Sequence, residues 1–189
     1  MRYILLFLVL VSFSFAEPLS LGKPNEEKEH SPWINFGFGI GVLGPATDEY
    51  KEQSKAFVNP SLLFSIQFAE LTATTFEFDL TKPDGGWGVW FGVEQQFIEK
   101  QITPFAEVQV GARYPGKHKR SSANSFGDVF GVATSVNGGL IFFRESQFRI
   151  RLKGGYEGIF NQNTDMSWNA EVGVLFAIGR AGLKAIKVD

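Results

Sequence analysis

Charged side chains recur at every second position in several short stretches of this chain. Arg149, Arg151, Lys153 and Glu157 do so in one, and Glu77 and Asp79 in another. Glu94, Glu107, Arg113 and Glu171 sit in similar surroundings. Six acids and four bases could do three kinds of chemistry. Two carboxylates sharing a site could act as general acid and base. A file of charges could carry ions. Acids and bases could also pair with one another and fix a structure. A spacing of two puts such residues on one face of a β-strand, so the choice turns on what that face looks at.

Other chemistry is thinly represented. The chain has two histidines, His30 and His118. His30 lies in a polar, charged stretch. His118 sits in Lys117-His118-Lys119-Arg120, at an expected loop tip, without the orienting neighbour that a general base needs. Lys117, Lys119 and Arg120 read as a solvated loop, or as a tip that pairs with lipopolysaccharide phosphates. There is no cysteine, so neither disulfides nor thiolate metal sites are available. Asn161-Gln162-Asn163-Thr164-Asp165 is rich in oxygen but lacks the spacing of a Ca²⁺ loop. No cofactor and no catalytic residue is expected.

The charges belong to strands. In Gln147–Phe160, Phe148, Ile150, Leu152, Tyr156 and Phe160 alternate with Arg149, Arg151, Lys153 and Glu157, which gives one apolar and one charged face. The same rhythm runs from Trp33 onward. Eight strands are predicted, at 33–43, 56–69, 72–82, 86–97, 102–114, 130–143, 147–160 and 166–179. Phe36, Phe38, Ile40 and Val42 oppose Asn35, Gly37, Gly39 and Gly41. Val89, Phe91 and Val93 oppose Gly88, Trp90, Gly92 and Glu94. The sixth strand is the weakest, because Leu140-Ile141-Phe142-Phe143 is apolar on both sides. Eleven residues at ~3.3 Å each, tilted ~45°, rise about 25 Å, the height of the apolar band of a membrane barrel. Long and short connections alternate. Pro45–Lys55, Pro115–Asp128 and Asn161–Asp165 are long or polar, and Lys82–Gly86 is shorter. Ala69-Glu70, Ile98–Gln101 and Glu145-Ser146 are tight.

The ends and the composition bound the setting. Met1–Ala16 has a positive start at Arg2, an apolar run from Ile4 and small residues at Ser14 and Ala16. It is read as a signal peptide cleaved after Ala16, too short for a spanning helix, which needs about 20 residues. No cysteine follows to carry a lipid. Residues 17–32 form a flexible periplasmic lead-in, 33–180 the barrel and 181–189 a C-terminal tail. The net charge of −2 is too weak to argue for nucleic acid. Gly and Phe are abundant, at 21 and 20 residues. Glycine thins a crowded interior, and phenylalanine supplies apolar area.

Alternation alone leaves the facing open. A soluble β-sandwich also has one apolar and one polar face, and a lipocalin-like barrel turns its apolar face inward around a ligand. Glycines and opposite charges on the polar face favour a narrow filled lumen. Trp33, Trp87, Tyr114, Tyr156 and Trp168 suit interfacial girdles on the apolar one. The expectation is therefore an all-β, eight-stranded, antiparallel up-and-down transmembrane β-barrel in an outer membrane. Glu77, Asp79, Glu94, Glu107, Arg113, Arg149, Arg151, Lys153, Glu157 and Glu171 would point inward and pair, because an unpaired charge there costs several kcal/mol. On this reading Arg151→Glu destabilises the barrel and Arg151→Met is tolerated.

The segment Ile102-Thr103-Pro104-Phe105-Ala106-Glu107-Val108-Gln109-Val110-Gly111-Ala112-Arg113-Tyr114 resembles a strand of the small eight-stranded outer-membrane proteins of the OmpA and OmpX kind. The resemblance is one of pattern and covers Trp33 to Arg180. It implies a structural or surface-interaction role, with outer-membrane lipid, lipopolysaccharide and the outer-membrane assembly machinery as partners. A narrow ion-conducting pore and a soluble periplasmic binder of apolar ligands are the alternatives. Barrels of this kind usually end in an aromatic residue, whereas Phe176 is followed by thirteen more. The assembly machinery would then read an internal segment, Trp168–Ile178.

Overall fold

Eight antiparallel strands close on themselves in sequence order. They are β1 (Trp33–Pro45), β2 (Phe57–Gln67), β3 (Thr72–Thr81), β4 (Gly86–Gln96), β5 (Ile102–Tyr114), β6 (Gly131–Phe142), β7 (Phe148–Phe160) and β8 (Asp165–Arg180). The computed structural model describes residues 33–46, 57–82, 85–114, 130–160 and 165–180. The expected signal peptide, the lead-in, most of Pro45–Lys55, the whole of Pro115–Asp128, residues 161–164 and the C-terminal tail lie outside the described residues. So do His30, Lys117, His118, Lys119 and Arg120. Within the described residues each strand lies within two residues of its predicted bounds.

Closure comes from β1 against β8, paired from Trp33↔Arg180 to Pro45↔Ser167, with one register shift between Ile34 and Asn35. A closed barrel has no unpaired strand edge, so every backbone group along the ladders finds a partner without water. The tight connections after β2, β4 and β6 share one end with the start of β1 and the end of β8 (the turn end). The longer connections share the other (the loop end). At the loop end Gly85 adopts φ 71°, a left-handed conformation that glycine takes at little steric cost, and its N–H donates to the Thr81 carbonyl at 3.0 Å.

The two faces part by parity. Outward go Phe38, Ile40, Leu62, Phe76, Phe91, Val110, Val136, Leu152, Val172 and Phe176, with Phe91 58% and Val136 63% exposed. Inward go the buried Asn35, Thr75, Glu77, Asp79, Glu107, Gln109, Arg113, Asn137 and Arg151. This inverts a water-soluble protein, in which side chains of the first kind fill the core. The inner face also holds apolar residues. Trp90, Ala133 and Ile159 form a small buried cluster, and Leu63, Phe105, Ile141 and Leu175 are buried as well. The doubly apolar run in β6 is thereby explained: Leu140 faces out and Ile141 fills the interior.

One facing expectation is corrected. Trp33 shares the inward parity of Asn35, and the Arg149 guanidinium lies 5.5 Å from its ring centroid. It serves the interior at the turn end and is not part of an outer girdle. The register shift falls on the β8 side of the pair, so β1 keeps its alternation to the first residue.

Candidate functional site

The interior is organised by three cations, each of which bridges two carboxylates. Arg151 on β7 reaches across the barrel to β4 and β5. Its Nε lies 3.1 Å from Glu94 Oε2, and its Nη2 lies 2.9 Å from Glu107 Oε2. Glu94 and Glu107 are directly opposite each other in the β4–β5 ladder, where like charges repel. Arg151 lies between them, and its guanidinium also sits 4.5 Å from the Phe105 ring centroid, a cation–π contact strengthened by the absence of water. Gln96 donates to Glu94 Oε1 at 3.0 Å, and Thr75 to Glu107 Oε1 at 2.8 Å. The acceptor positions of both carboxylates are thus largely filled.

Nearer the barrel centre, Lys153 Nζ donates to Glu77 Oε1 at 2.8 Å and to Oε2 at 2.6 Å. Glu171, its ladder partner on β8, is 3.7 Å away. Ser61 donates to Glu171 Oε2 at 2.8 Å, and Gln109 to Glu77 Oε2 at 3.1 Å. Gln109 in turn accepts from Ser135 at 2.8 Å and from Asn137 at 3.2 Å. These neutral side chains carry the network around the wall.

Toward the loop end, Arg113 pairs with Asp79 and, at 3.3 Å, with Glu157. Trp90 Nε1 donates to Asp79 Oδ2 at 2.6 Å, and Arg113 Nη2 to Thr81 at 3.0 Å. The approach of Arg113 to Glu157 is an ion pair without hydrogen-bond alignment. Asp79, Gly88 and Arg113 stand in one ladder row across β3, β4 and β5. The middle position has no side chain, so the two charges meet over it. A Cβ at Gly88 would lie 2.6 Å from Asp79 Oδ2, 2.6 Å from Trp90 Nε1 and 2.7 Å from Arg113 Nη1. Gly88→Ala is therefore expected to cost about 1–3 kcal/mol, the usual scale for overpacking, read as a lower urea midpoint for unfolding from lipid vesicles. A midpoint equal to wild type would mean that the row has room to spare.

Arg149 departs from the expected pairing. It is buried, but among the described residues it makes no ion pair. Its Nε donates to the Ser146 carbonyl at 3.3 Å, and its charge is met by the Trp33 ring. Arg144 enters the interior without having been expected there. It lies in the β6–β7 turn, where its Nε donates to Gln96 Oε1 at 2.6 Å and its Nη2 to the Glu70 carbonyl. One side chain thus ties the β6–β7 turn to the end of β4 and to the β2–β3 turn. The preceding Phe143 has φ 57°, an unusual conformation for a bulky residue. Its strain is held by this anchorage.

The ten predicted inward residues all lie on the inner face. Nine of them form the three bridged clusters, and Arg149 stands apart. Between clusters the described lumen is narrow, and the space bounded by Glu77, Asp79, Glu157 and Glu171 leaves only about 10 Å³ for the centre of a water-sized sphere. Among the described residues no group of three His, Cys, Asp or Glu side chains is placed to hold a metal ion.

No family model matches the chain, and no curated protein matches it in sequence. Solved structures do match. Neisserial surface protein A aligns with a TM-score of 0.55 at 9% identity, over 78% of this chain and 97% of its own. The outer membrane enzyme PagL aligns with a TM-score of 0.51 at 12% identity, over 76% of this chain and 99% of its own. At such identities the likeness is one of fold: this chain has the fold of the small eight-stranded outer-membrane β-barrels.

Proposed function

We propose that this protein is an exported outer-membrane β-barrel with a structural or surface-interaction role and a lumen kept closed by its ion pairs. The observation that carries the reading is the inversion of the barrel. Large apolar side chains ring the outside, while Arg113, Arg151 and Lys153 are buried inside, each between two carboxylates. An outer surface of that composition is stable against acyl chains and unfavourable against water. An eight-stranded interior is just wide enough to be filled by side chains, and here bridged ions fill it. A soluble binder of apolar ligands needs the opposite arrangement. The partners that fit are outer-membrane lipid around the belt and the assembly machinery that inserts such barrels. Lipopolysaccharide would meet the Lys117, Lys119 and Arg120 tip.

Membrane fractionation and planar-bilayer recording test both halves of this reading. The chain is expected in the outer-membrane fraction, migrating faster on a gel before boiling than after, and to give no steady current steps. Recovery of folded protein from detergent-free supernatant would overturn the membrane assignment. Regular conductance steps from folded protein would overturn the closed lumen and support a narrow pore.

A further inference from the structure

Among the buried side-chain oxygens of the described residues that accept no hydrogen bond, two border the same small space. Glu157 Oε1 on β7 is one and Asn169 Oδ1 on β8 is the other. The Glu157 residue is only 5% exposed. Asn169 uses its amide nitrogen elsewhere, donating to Asn137 Oδ1 at 3.1 Å. In the β7–β8 ladder Glu157 faces Ser167 and Asn169 faces Gly155, so the two lie diagonally across neighbouring strands on the inner face. Such diagonal neighbours are about 7–8 Å apart at the backbone, too far for a direct contact between short side chains but within reach of a common partner. Glu157 Oε1 has the Arg113 Nε at 3.3 Å, out of hydrogen-bond alignment, and Asn169 Oδ1 accepts from no donor, so each has a lone pair open to a further hydrogen bond.

The space they border separates two of the charge clusters. On one side stand Lys153, Glu77 and Glu171; on the other stand Asp79 and Glu157, with Trp90 beside them. Its lining is polar, and its size is that of one water. An apolar cavity of such size would stay empty, whereas a polar one with two to four partners holds its water as part of the structure.

We propose that this space is a specific site for a single water molecule, which donates one hydrogen to Asn169 Oδ1 and the other to Glu157 Oε1. The water gives each acceptor an aligned hydrogen bond and joins the Lys153 cluster to the Arg113 cluster. With it, hydrogen bonds run from Arg144 at the turn end to Glu157, and the Arg113–Glu157 ion pair carries the network on to Thr81 at the loop end. The inference concerns the interior alone and goes beyond the proposed role. A conducting barrel could hold the same water, so failure of the bilayer experiment would leave it standing.

The test is water–protein cross-relaxation by NMR on the full chain in detergent micelles, read at the Trp90 indole N–H. A cross-peak with the sign of a water held longer than the tumbling time of the barrel is expected. It should persist in Ser135→Ala, which removes the nearby hydroxyl that could relay exchange. It should persist in Glu157→Gln, which keeps an acceptor oxygen, and vanish in Asn169→Leu. Should Asn169→Leu fail to fold, wild type and the other two variants still decide the matter. Absence of the peak from wild type, its loss in Ser135→Ala, or its survival in a folded Asn169→Leu would each overturn the proposal. So would a melting temperature higher in NaCl than in choline chloride at equal ionic strength, since the site would then hold a cation.

Discussion

Arg151→Glu is expected to abolish the stable barrel, seen as loss of the fast-migrating unboiled band and of cooperative urea unfolding. The reason lies in which residues meet. Glu94 and Glu107 are opposite one another in the β4–β5 ladder, and the Arg151 guanidinium is the cation between them. The residue is 1% exposed, so water cannot take its place. Removing one partner from a buried pair costs about 3–5 kcal/mol. Reversal goes further and gathers three carboxylates around the Phe105 ring, against a total stability of only about 5–15 kcal/mol for a typical domain. The structure also revises the expectation for Arg151→Met. Alternation suggested that a neutral side chain of similar length would be accepted, but methionine leaves two facing carboxylates without a cation. Arg151→Met is expected to lose about 3–5 kcal/mol. The triple variant Arg151→Met, Glu94→Gln, Glu107→Gln should recover most of it. Each glutamine keeps an oxygen to accept from Gln96 or Thr75, and replacing a whole buried ionic group is often neutral. If Arg151→Met alone matches wild type, the bridge contributes nothing.

Alternation made the fold legible because a period of two is a direct consequence of strand geometry. It gave the strands, their order around the barrel and the side on which each charge stands. It could not give partners. Which acid meets which base depends on register and on the stagger between strands, and neither is written in the spacing of one strand. Arg113 meets Asp79 two strands away because Gly88 leaves their shared row open. Arg151 spans the barrel because its side chain is long enough to reach Glu107 and Glu94 from β7. Arg144 escaped because it lies in a turn, where no face can be assigned. The signal available was the apolar run Leu140–Phe143 stopping abruptly at a single arginine. Trp33 was placed outside by its chemistry, though its parity with Asn35 already put it inside. Alternation puts Gln109 on the polar face but gives no linking role to it or to Asn137, because both are neutral, yet both link charged clusters. The charged residues could be read as a set, and the neutral ones that connect them could not.

The second large effect concerns the outside and separates the membrane reading from every soluble one. Val108 is the central residue of β5, six positions from either end. Its ladder neighbours are Val93 on β4 and Val136 on β6, both exposed on the outer face. The three valines form a row at mid-height of the apolar belt. If acyl chains cover that row, Val108→Arg must bring a guanidinium to the bilayer midplane, at a cost of about 2–4 kcal/mol. Ile102→Arg on the same strand and the same face lies at the turn end, where the arginine can reach the headgroups, and the cost falls to roughly 0–1 kcal/mol. If water covers the belt, both substitutions are ordinary surface changes of about ±0.5 kcal/mol or less, and depth along β5 has no effect. Urea unfolding of the two variants from lipid vesicles therefore measures a gradient along one strand. A steep difference between positions 108 and 102 is expected. Equal, small losses would mean that the phenylalanines and valines on the outside face something other than lipid. The ion pairs within would remain as described, but the outer-membrane assignment would lose its physical basis.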